Sequence, residues 1–244
     1  MSLLEARGIH KRFGPFVALE HVDLTVEARQ FHGVIGPNGS GKSTLLKCLV
    51  GAEDVTRGTI ALAGKRIEKL DPAERARSGM SLKFQIVSII AQLSVFDNVL
   101  LAVQAHDSFL SLLGSRTRRK SAARVDALLA SFRLTRYADV TAGTLSHGHQ
   151  QWLEIAMALA SEPRLLLLDE PTAGMSIEER RLTGELLRPL KEHCSVLIVE
   201  HDLDFIRGIC DVLTVLHQGE VLDSGTVAHI QSSRKVQEVY LAHV

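Results

Sequence analysis

A glycine-rich segment at residues 36–44, Gly-Pro-Asn-Gly-Ser-Gly-Lys-Ser-Thr, constrains this chain more than any other feature. It fits the pattern G-x-x-x-x-G-K-[ST], follows the short apolar run Phe31–Ile35 and opens a helical pattern at Lys42–Leu49. Glycines let the backbone curl so that several N–H groups point into one cavity, and the helix N-terminus adds a positive dipole end. The alternative is a glycine turn without a ligand, but average residue frequencies make a chance match on the order of 1%. The segment therefore predicts a loop that holds nucleotide phosphates.

Two side chains of this loop have distinct expected roles. Lys42 is placed to reach the β- and γ-phosphates as a point charge, and the Ser43 hydroxyl is placed to ligate Mg²⁺. The motif alone does not say what the hydrolysis is for. The predicted phosphate-binding residues are Gly36, Pro37, Asn38, Gly39, Ser40, Gly41, Lys42, Ser43 and Thr44.

An acidic pair, Asp169 and Glu170, follows the apolar run Arg164–Leu168. Ligands of α/β sheets bind at the carboxyl ends of strands, so Asp169 is expected beside the phosphate loop, holding Mg²⁺ directly or through water. Glu170, one residue on, is the candidate general base that polarises the attacking water. A solvated turn is the alternative, but a strand that ends in two carboxylates is the expected partner of a phosphate loop.

Apolar runs of buried-strand length recur after the acidic pair, at Ser195–Val199 and Val212–Leu216. Between the acidic pair and the first of these runs, Ser176–Glu192 has a helical pattern, with Ser176 as a plausible N-cap and acidic residues in the first turn. Buried strands that alternate with helices are typical of a mainly parallel sheet covered on both faces. The sequence therefore predicts an α/β fold.

The stretch Val87–Ala160 differs from the rest because it lacks strong strand signals. Its apolar residues recur at helical spacing, and a basic cluster, Arg116–Lys120, interrupts the pattern. We interpret the stretch as a mostly helical subdomain inserted into the α/β core, and the basic cluster as a solvated loop rather than a ligand site. The clearest helical spacing is that of Val125, Leu128, Leu129 and Phe132.

Composition limits the classes of partner and compartment. The formal net charge is zero, with 28 basic and 28 acidic residues, which leaves no electrostatic signature of binding to nucleic acid or to an anionic membrane surface. Apolar runs such as Leu165–Leu168 are far too short to span a bilayer, and the N-terminus lacks the apolar core of a signal peptide. Cys48, Cys194 and Cys210 match no metal or redox spacing, which indicates structural thiols in a reducing cytosol.

A further segment, Leu145-Ser-His-Gly-His-Gln-Gln151, precedes a helical pattern about twenty residues before Asp169. It resembles the signature motif of ABC ATPases, usually Leu-Ser-Gly-Gly-Gln. The order of phosphate loop, Gln85, signature, acidic pair and His201 resembles the ATPase subunits of ABC transporters over essentially the whole chain. A helix cap formed by Ser146 would be the alternative if the segment stood alone.

The resemblance implies that the site is shared between two chains. The signature of one subunit covers the γ-phosphate of ATP held by the phosphate loop of a second ATPase subunit, in a homodimer or heterodimer. Ser146 then supplies a hydroxyl and Gly148 allows close backbone approach. His147 replaces the usual first glycine and His149 the usual glutamine. A histidine there could donate a hydrogen bond and titrate near neutral pH, but we favour tolerated variants at a flexible loop.

Other site residues are expected from the resemblance alone. Gln85 matches the glutamine that senses Mg²⁺ and the attacking water. His201 matches the switch histidine that hydrogen-bonds the γ-phosphate and holds Glu170 and the water in line. Phe13 matches the ring that stacks on adenine, with Phe16 as the other candidate and core packing as the alternative. Residues 173–175, Ala-Gly-Met, match the loop that crosses to the second subunit.

The resemblance also implies a domain plan: a single ABC ATPase domain over residues 1–244, with a phosphate-loop core at 1–86 and 161–244 and a helical subdomain at about 87–160. Leu3–Ile9 and the alternating residues Val22, Leu24 and Val26 predict N-terminal strands, which in this family form an antiparallel β subdomain.

More specifically, the chain resembles ATPases of branched-chain amino acid importers. Within that group it resembles the urea and short-chain amide branch, and we favour this branch over branched-chain amino acid transport. Such ATPases bind ATP and Mg²⁺ on the cytoplasmic face of bacterial inner membranes. They dock on two permease subunits fed by an extracytoplasmic solute-binding protein. The segments that carry this resemblance are Leu145–Gly148, Gln151–Glu154, Glu170–Met175, Val215–Gly219 and Val239–Leu241.

Two other classes of function remain as alternatives. A non-transport ABC ATPase that acts on nucleic acid or ribosomes usually carries two cassettes, long coiled-coil inserts or basic arms, whereas this chain has one phosphate loop and no net charge. A small-molecule kinase or GTPase shares only the phosphate loop, and would not explain the signature or His201.

Overall fold

The computed structural model describes residues 2–83, 88–105 and 115–241. Within these ranges the strands are β1 (Ser2–Phe13), β2 (Phe16–Glu27), β3 (Phe31–Ile35), β4 (Arg57–Leu62), β5 (Lys65–Arg66), β6 (Met80–Lys83), β7 (Leu165–Asp169), β8 (Ser195–Val199), β9 (Val212–His217) and β10 (Glu220–Thr226). The helices are α1 (Lys42–Val50), α2 (Pro72–Arg77), α3 (Val95–Gln104), α4 (Ser115–Ser131), α5 (His147–Leu159), α6 (Ile177–Leu187), α7 (Leu203–Ile209), α8 (Val227–Ser232) and α9 (Arg234–Leu241). Short 3₁₀ turns lie at Thr135–Tyr137, Ala142–Thr144 and Arg188–Glu192.

The larger sheet has the strand order β10-β9-β3-β8-β7-β6. All neighbours from β9 to β6 run parallel, and only β10 returns antiparallel, as a hairpin with β9. Parallel strands are buried on both faces, which explains why β3, β7 and β8 read as nearly continuous apolar runs. The predicted α/β fold with a mainly parallel sheet is confirmed.

The smaller sheet has the order β2-β1-β4-β5 and is antiparallel throughout. The long strands β1 and β2 alternate buried and exposed residues over much of their length, as expected for a sheet with one face on the core and one face in water. This is the N-terminal antiparallel β subdomain that the family resemblance implies, and it brings Phe13 to the turn between its first two strands.

Two hydrophobic cores flank the larger sheet because side chains of a strand alternate between its faces. In β7, Leu166 and Leu168 belong to the core shared with α3, α4 and α5. Leu165 and Leu167 belong to the core shared with α1 and the antiparallel sheet. The sheet is therefore one rigid layer that carries the phosphate-loop helix on one face and the signature helix on the other.

Three functional loops leave the same edge of this sheet. The phosphate loop follows β3, the acidic pair ends β7, and His201 follows β8, which lies between them. The carboxyl ends of parallel strands share one edge, so chain order alone brings these three segments together.

Some expected boundaries differ from those observed. The basic cluster Arg116–Lys120, expected as a solvated loop, lies in helix α4, so that expectation is wrong. Lys and Arg are good helix formers, and the buried face of α4 farther along keeps the whole segment helical. The helix expected to reach Glu192 is α-helical only to Leu187, and the chain then tightens into a 3₁₀ turn at Pro189, which has no N–H to donate.

None of the helices in the described ranges combines the length and the apolar character needed to cross a bilayer.

Candidate nucleotide-binding site

The phosphate loop is shaped by glycines that no other residue could replace without movement. Gly36 has φ 153°, and a Cβ added to it would lie 2.1 Å from the carbonyl oxygen of Leu216. Gly41 has φ 104° and is the N-cap of α1, with no side chain to cap the helix. The first N–H groups of α1 are therefore left for a ligand, and an anion is the natural partner of a helix N-terminus.

Lys42 is buried at the base of this loop. Its Nζ donates hydrogen bonds to the carbonyl oxygens of Gly36 (2.8 Å) and Pro37 (3.0 Å). Burial lowers the pKa of Lys42, while the nearby Glu170 and Asp169 carboxylates oppose that shift. The ammonium thus sits between its own loop and two carboxylates, as required of a point charge that faces phosphates.

The rest of the loop combines an exposed turn with a fixed interior. Asn38 and Gly39 are exposed at its tip, whereas Ser40 is buried and its Oγ has no hydrogen-bond partner in the described part of the chain. The Ser40 carbonyl oxygen accepts a bond from Gly219 N–H (3.0 Å), which ties the loop to the β9–β10 turn. Ser43 and Thr44 lie in the first turn of α1, where Ser43 is exposed and Thr44 is half-buried.

Asp169 ends β7 with a buried carboxylate oxygen. Its Oδ1 makes no hydrogen bond to any residue that the structure describes. Burial raises the pKa of this carboxyl, the adjacent Glu170 raises it further, and Lys83 and Lys42 counteract both. A buried carboxylate oxygen without a partner is costly, so its presence at this edge indicates a ligand that supplies positive charge.

The described residues supply only part of the ligands that a Mg²⁺ ion needs. No group of three His, Cys, Asp or Glu side chains in the described ranges could hold a metal by itself. Asp169 and the Ser43 hydroxyl are hard oxygen ligands, and Mg²⁺ usually completes such sparse sites with water and substrate phosphates. Gln85, the third predicted ligand, lies outside the described residues.

Glu170 and His201 face each other across the edge of the sheet. Glu170 has φ 45°, which is unusual for a residue with a side chain, and its N–H donates to the Val199 carbonyl oxygen (2.9 Å). His201 Nδ1 lies 3.9 Å from Glu170 Oε1 and 3.7 Å from Glu200 Oε2, with most of the ring exposed. Strained backbone often marks a functional position, and here it turns the Glu170 carboxylate away from the line of β7.

Sequence reasoning missed Glu200, which organises the loops around this site. The residue is fully buried, and its carboxylate accepts hydrogen bonds from the Thr172 N–H (2.9 Å), the Thr172 hydroxyl and the His201 N–H (3.1 Å). It therefore joins the segment after Glu170 to the segment that carries His201. A carboxylate at the end of a buried strand was the only signal in the sequence.

A second missed feature is the buried pair Lys83 and Glu154. Lys83 Nζ lies 4.0 Å from Glu154 Oε2 and 3.5 Å from the Asp169 carbonyl oxygen. Glu154, in α5, also accepts a hydrogen bond from the Ser88 N–H. The pair connects β6, the acidic pair and the signature helix. The only sign of this pair in the sequence is that each of the two charged residues lies among apolar residues of its strand or helix.

The signature segment forms the start of α5. Ser146 is the exposed N-cap, and its Oγ accepts from the His149 N–H (3.4 Å) and lies 2.6 Å from His149 Nδ1. His147 donates from Nε2 to the Ala173 carbonyl oxygen (3.0 Å), in the segment expected to cross to a second subunit. Gly148 is buried, and a Cβ added to it would lie 2.6 Å from Glu179 Oε1.

The site divides into two half-sites. The phosphate half-site comprises residues 36–44 with Asp169 and Glu170, and the signature half-site comprises residues 145–149. No hydrogen bond joins residues 36–44 to residues 145–149, both of which the structure describes in full. Each half-site therefore offers its polar groups separately within this chain.

Phe13 and Phe16 both lie at the β1–β2 turn, where they pair across the hairpin. Phe13 is 42% exposed and Phe16 64%, so neither ring is core packing. The Lys11 Nζ lies 4.6 Å from the centroid of the Phe13 ring. Either ring is available to a planar ligand, and the structure contains no contact that selects between them.

Comparisons with known proteins agree with this geometry. A family model described as ABC transporter matches residues 19–173, a range that includes the phosphate loop, the signature and the acidic pair. The high-affinity branched-chain amino acid transport ATP-binding protein BraF of Pseudomonas aeruginosa is 36% identical over 248 residues, covering 98% of this chain and 97% of that protein.

Solved structures extend the likeness to the whole fold. The ADP conformation of MJ1267, an ATP-binding cassette of an ABC transporter, superposes with a TM-score of 0.86 at 28% identity, covering 99% of each chain. The dimeric post-hydrolysis state of the cassette MJ0796, bound to ADP and Pi, gives 0.80 at 25% identity, covering 92% of this chain and 99% of that one. By sequence, by fold and by its phosphate-binding chemistry, this chain belongs to the ABC transporter family, as an ATP-hydrolysing nucleotide-binding cassette.

Proposed function

We propose that this ATPase drives the uptake of a small polar solute as the motor subunit of an ABC importer, and that it hydrolyses ATP as half of a nucleotide-sandwiching dimer. The observation that carries the proposal is the division of the site. Among the described residues, the phosphate half-site holds buried polar atoms without hydrogen-bond partners, whereas the signature half-site presents an exposed serine and makes no hydrogen bond to residues 36–44.

In the proposed mechanism the phosphate half-site binds ATP first. Backbone N–H groups of residues 36–44 surround the phosphates, and Lys42 leaves the Gly36 and Pro37 carbonyls to contact the β- and γ-phosphates. Phe13 stacks on adenine. Ser43, Asp169 and Gln85 would hold Mg²⁺, which neutralises charge on the phosphates when bound.

Glu170 then acts as general base toward the attacking water. Its strained backbone and its anchored N–H fix the carboxylate at the edge of the sheet. His201 lies within reach of Glu170 and is free on its exposed side to hydrogen-bond the γ-phosphate. The buried Glu200 carboxylate, which accepts the His201 N–H, holds that loop in place.

The second subunit completes the site. Ser146 of one copy donates its hydroxyl to the γ-phosphate held by the other, and Gly148 lets the start of α5 approach closely. His147 and His149 belong to the same contact surface. Bound ATP joins the two half-sites, and hydrolysis separates them again. The dimeric state of MJ0796 bound to ADP and Pi supports such a pair.

Dependence of turnover on protein concentration tests this pairing without any mutation. We expect the ATPase rate per subunit to rise with concentration and to level off once dimers dominate, because a single subunit lacks half of each site. Ser146→Ala should shift that rise to higher concentration. A rate per subunit that is constant over a thousandfold dilution would contradict the two-half-site mechanism.

The proposed assembly places the chain on the cytoplasmic face of the cell membrane. There it docks on two integral-membrane permease subunits that receive solute from an extracytoplasmic binding protein, with no role for nucleic acid. We further propose that residues 1–86 and 161–244 form the nucleotide-binding core, and that residues at about 87–160 form the subdomain that faces the permeases.

For the solute we propose urea or a short-chain amide, on the motifs that resemble that branch, with branched-chain amino acids as the second candidate. The second candidate is favoured by BraF, which is named for branched-chain amino acid transport. The test is ATPase stimulation in proteoliposomes that contain this chain with its permeases and binding protein. Stimulation by urea or acetamide but not by leucine or valine supports the first, and the reverse result supports the second.

A further inference from the structure

The Ser146 hydroxyl has a single proton, which a bare His149 Nδ1 and a phosphate oxygen would both accept. A hydroxyl has one proton to donate and two lone pairs to accept with. One lone pair already accepts the His149 N–H, as the N-cap of α5. His149 Nδ1 lies 2.6 Å from the hydroxyl oxygen. It either accepts the hydroxyl proton or donates its own proton to the second lone pair. A phosphate oxygen without a proton can only accept, so it can bond to Ser146 only if the hydroxyl proton is free.

The imidazole of His149 packs against two neighbouring aromatic rings, which hold it in place. Its ring centroid lies 4.7 Å from that of Tyr137 and 5.0 Å from that of Trp152, edge to face in the second case. The Trp152 indole is fixed in turn, because its Nε1–H donates to Thr183 Oγ1 of helix α6 at 2.8 Å. This packing therefore fixes the distance between His149 Nδ1 and Ser146 Oγ.

The charged groups around the ring come from three elements. Arg133 and Arg136 line, with His149, a cavity of about 400 Å³, and Glu179 faces the segment from the start of α6. Burial lowers the pKa of His149, Arg136 lowers it further, and Glu179 opposes both. The neutral ring therefore dominates near pH 7 in the isolated subunit, and its Nδ1 is able to take the hydroxyl proton.

We propose that His149 is a positioning residue for the Ser146 hydroxyl: a proton on Nδ1 turns the hydroxyl proton outward to the γ-phosphate, and a bare Nδ1 draws it inward. This inference rests on the proposed contact between Ser146 and ATP of the second subunit. The usual glutamine at this position would not supply it, since an amide keeps a donor at every pH.

The sign of the pH effect follows from the charge. An approaching triphosphate favours the protonated ring over the neutral one, so the closed pair holds more protons at His149 than the open subunits do. Closure therefore strengthens as pH falls, by at most tenfold per pH unit for one proton. Lowering the pH from 8 to 6 should therefore raise the ATP-driven association constant of the His149 protein, by at most about a hundredfold for each of the two His149 rings in the pair.

The experiment measures ATP-driven self-association by analytical ultracentrifugation between pH 6 and 8.5, in a Glu170→Gln background that does not turn over. His149→Asn keeps a permanent amide donor near Nδ1, and His149→Phe keeps the ring packing without any nitrogen. We expect both to lose the pH dependence that the parent shows, and His193→Gln, at an exposed histidine outside both half-sites, to keep it. Thermal unfolding of each variant shows whether the fold is intact.

The outcomes separate this inference from the proposed function. Ser146→Ala should weaken association and abolish the effect of His149→Phe, because both substitutions act on one hydroxyl. If Ser146→Ala associates as tightly as the parent, the contact with the second subunit fails. If Ser146→Ala weakens association but the parent and His149→Phe have parallel pH profiles, the contact stands and the role of His149 is overturned. The ¹⁵N shift of His149 supplies a direct readout, since Nδ1 should change from acceptor to protonated on closure.

Discussion

The two half-sites satisfy their polar groups in opposite ways. In the phosphate half-site, Asp169 Oδ1 and Ser40 Oγ are buried without hydrogen-bond partners among residues 2–83, 88–105 and 115–241, and α1 begins at a glycine that offers no side-chain cap. In the signature half-site, Ser146 is exposed and already makes two hydrogen bonds, as the cap of α5 and as the partner of His149. Unpaired buried groups carry a desolvation cost that a ligand removes, whereas an engaged exposed group must exchange one bond for another.

This difference implies an order of events. In the proposed mechanism ATP gains most from the phosphate half-site, so we expect that half-site to bind nucleotide in the isolated subunit. We expect the signature half-site to contribute only when the second subunit arrives, and with a smaller net gain per hydrogen bond. Substitutions in the two half-sites should therefore affect different measurements.

The largest effect is expected at Glu170. Glu170→Gln removes the general base and leaves the shape of the phosphate half-site intact, so turnover should fall by about 10²–10⁴-fold while ATP affinity changes little. Steady-state phosphate release and fluorescent-ATP titration measure the two quantities. The variant should also accumulate as an ATP-bound dimer on size-exclusion chromatography. Normal turnover would remove Glu170 from the chemistry.

Lys42→Ala tests the difference between the two half-sites through the ATP affinity of the isolated subunit. Each charge-assisted bond to a phosphate is worth about 1.5–3 kcal/mol, so ATP affinity of the isolated subunit should fall about 10- to 100-fold. Lys47→Ala, an exposed lysine on the same helix, is the matched control and should bind ATP normally. Ser146→Ala should also bind ATP normally as a monomer, and a loss there equal to that of Lys42→Ala would show that the half-sites are not separate.

Alanine at one glycine of each half-site should distinguish their rigidity. At Gly36 the new Cβ would meet the Leu216 carbonyl oxygen at 2.1 Å, a backbone atom that cannot move freely. We expect Gly36→Ala to lose about 3 kcal/mol of stability and about 6–12 °C in Tm. At Gly148 the Cβ would meet the Glu179 carboxylate, a side-chain group held by its capping bonds to Ser176, so Gly148→Ala should cost about 1 kcal/mol, less than Gly36→Ala. Equal losses in differential scanning calorimetry would contradict this contrast.

A modest effect is expected at Trp152, which anchors the signature helix. Trp152→Phe removes the Nε1–H bond to Thr183 and should lower the stability by about 1 kcal/mol and Tm by about 2–4 °C. Thr183→Val removes the same bond from the other side, so the double variant should lose less than the sum of the two. Strict additivity in thermal unfolding would show that the bond does not contribute.

How much of this could be predicted from the sequence depends on whether a signal is local. Consecutive residues are enough to identify the phosphate loop, the buried strands and the acidic pair. The positions of these features in the sheet follow from chain order. The antiparallel sheet and the signature came from family resemblance. The basic cluster Arg116–Lys120 was assigned wrongly because the helical state of α4 is set by packing farther along that helix.

The polar contacts around the site could not be predicted. Lys83 and Glu154 are 71 residues apart in sequence, and no spacing rule says that two buried charges on different elements meet. Glu200 reads as the end of a strand, although it holds two loops together. The pair of Ser146 and His149 is different, since residues three apart at a helix start are neighbours, and the capping rule could have indicated it.

A structure of the Glu170→Gln variant with ATP and Mg²⁺ tests the central claim most directly. We expect a dimer in which the Ser146 Oγ of one copy lies about 3 Å from a γ-phosphate oxygen of the ATP held by residues 36–44 of the other copy. A nucleotide-bound form in which both signature segments lie far from either triphosphate would contradict the division of the site between two chains.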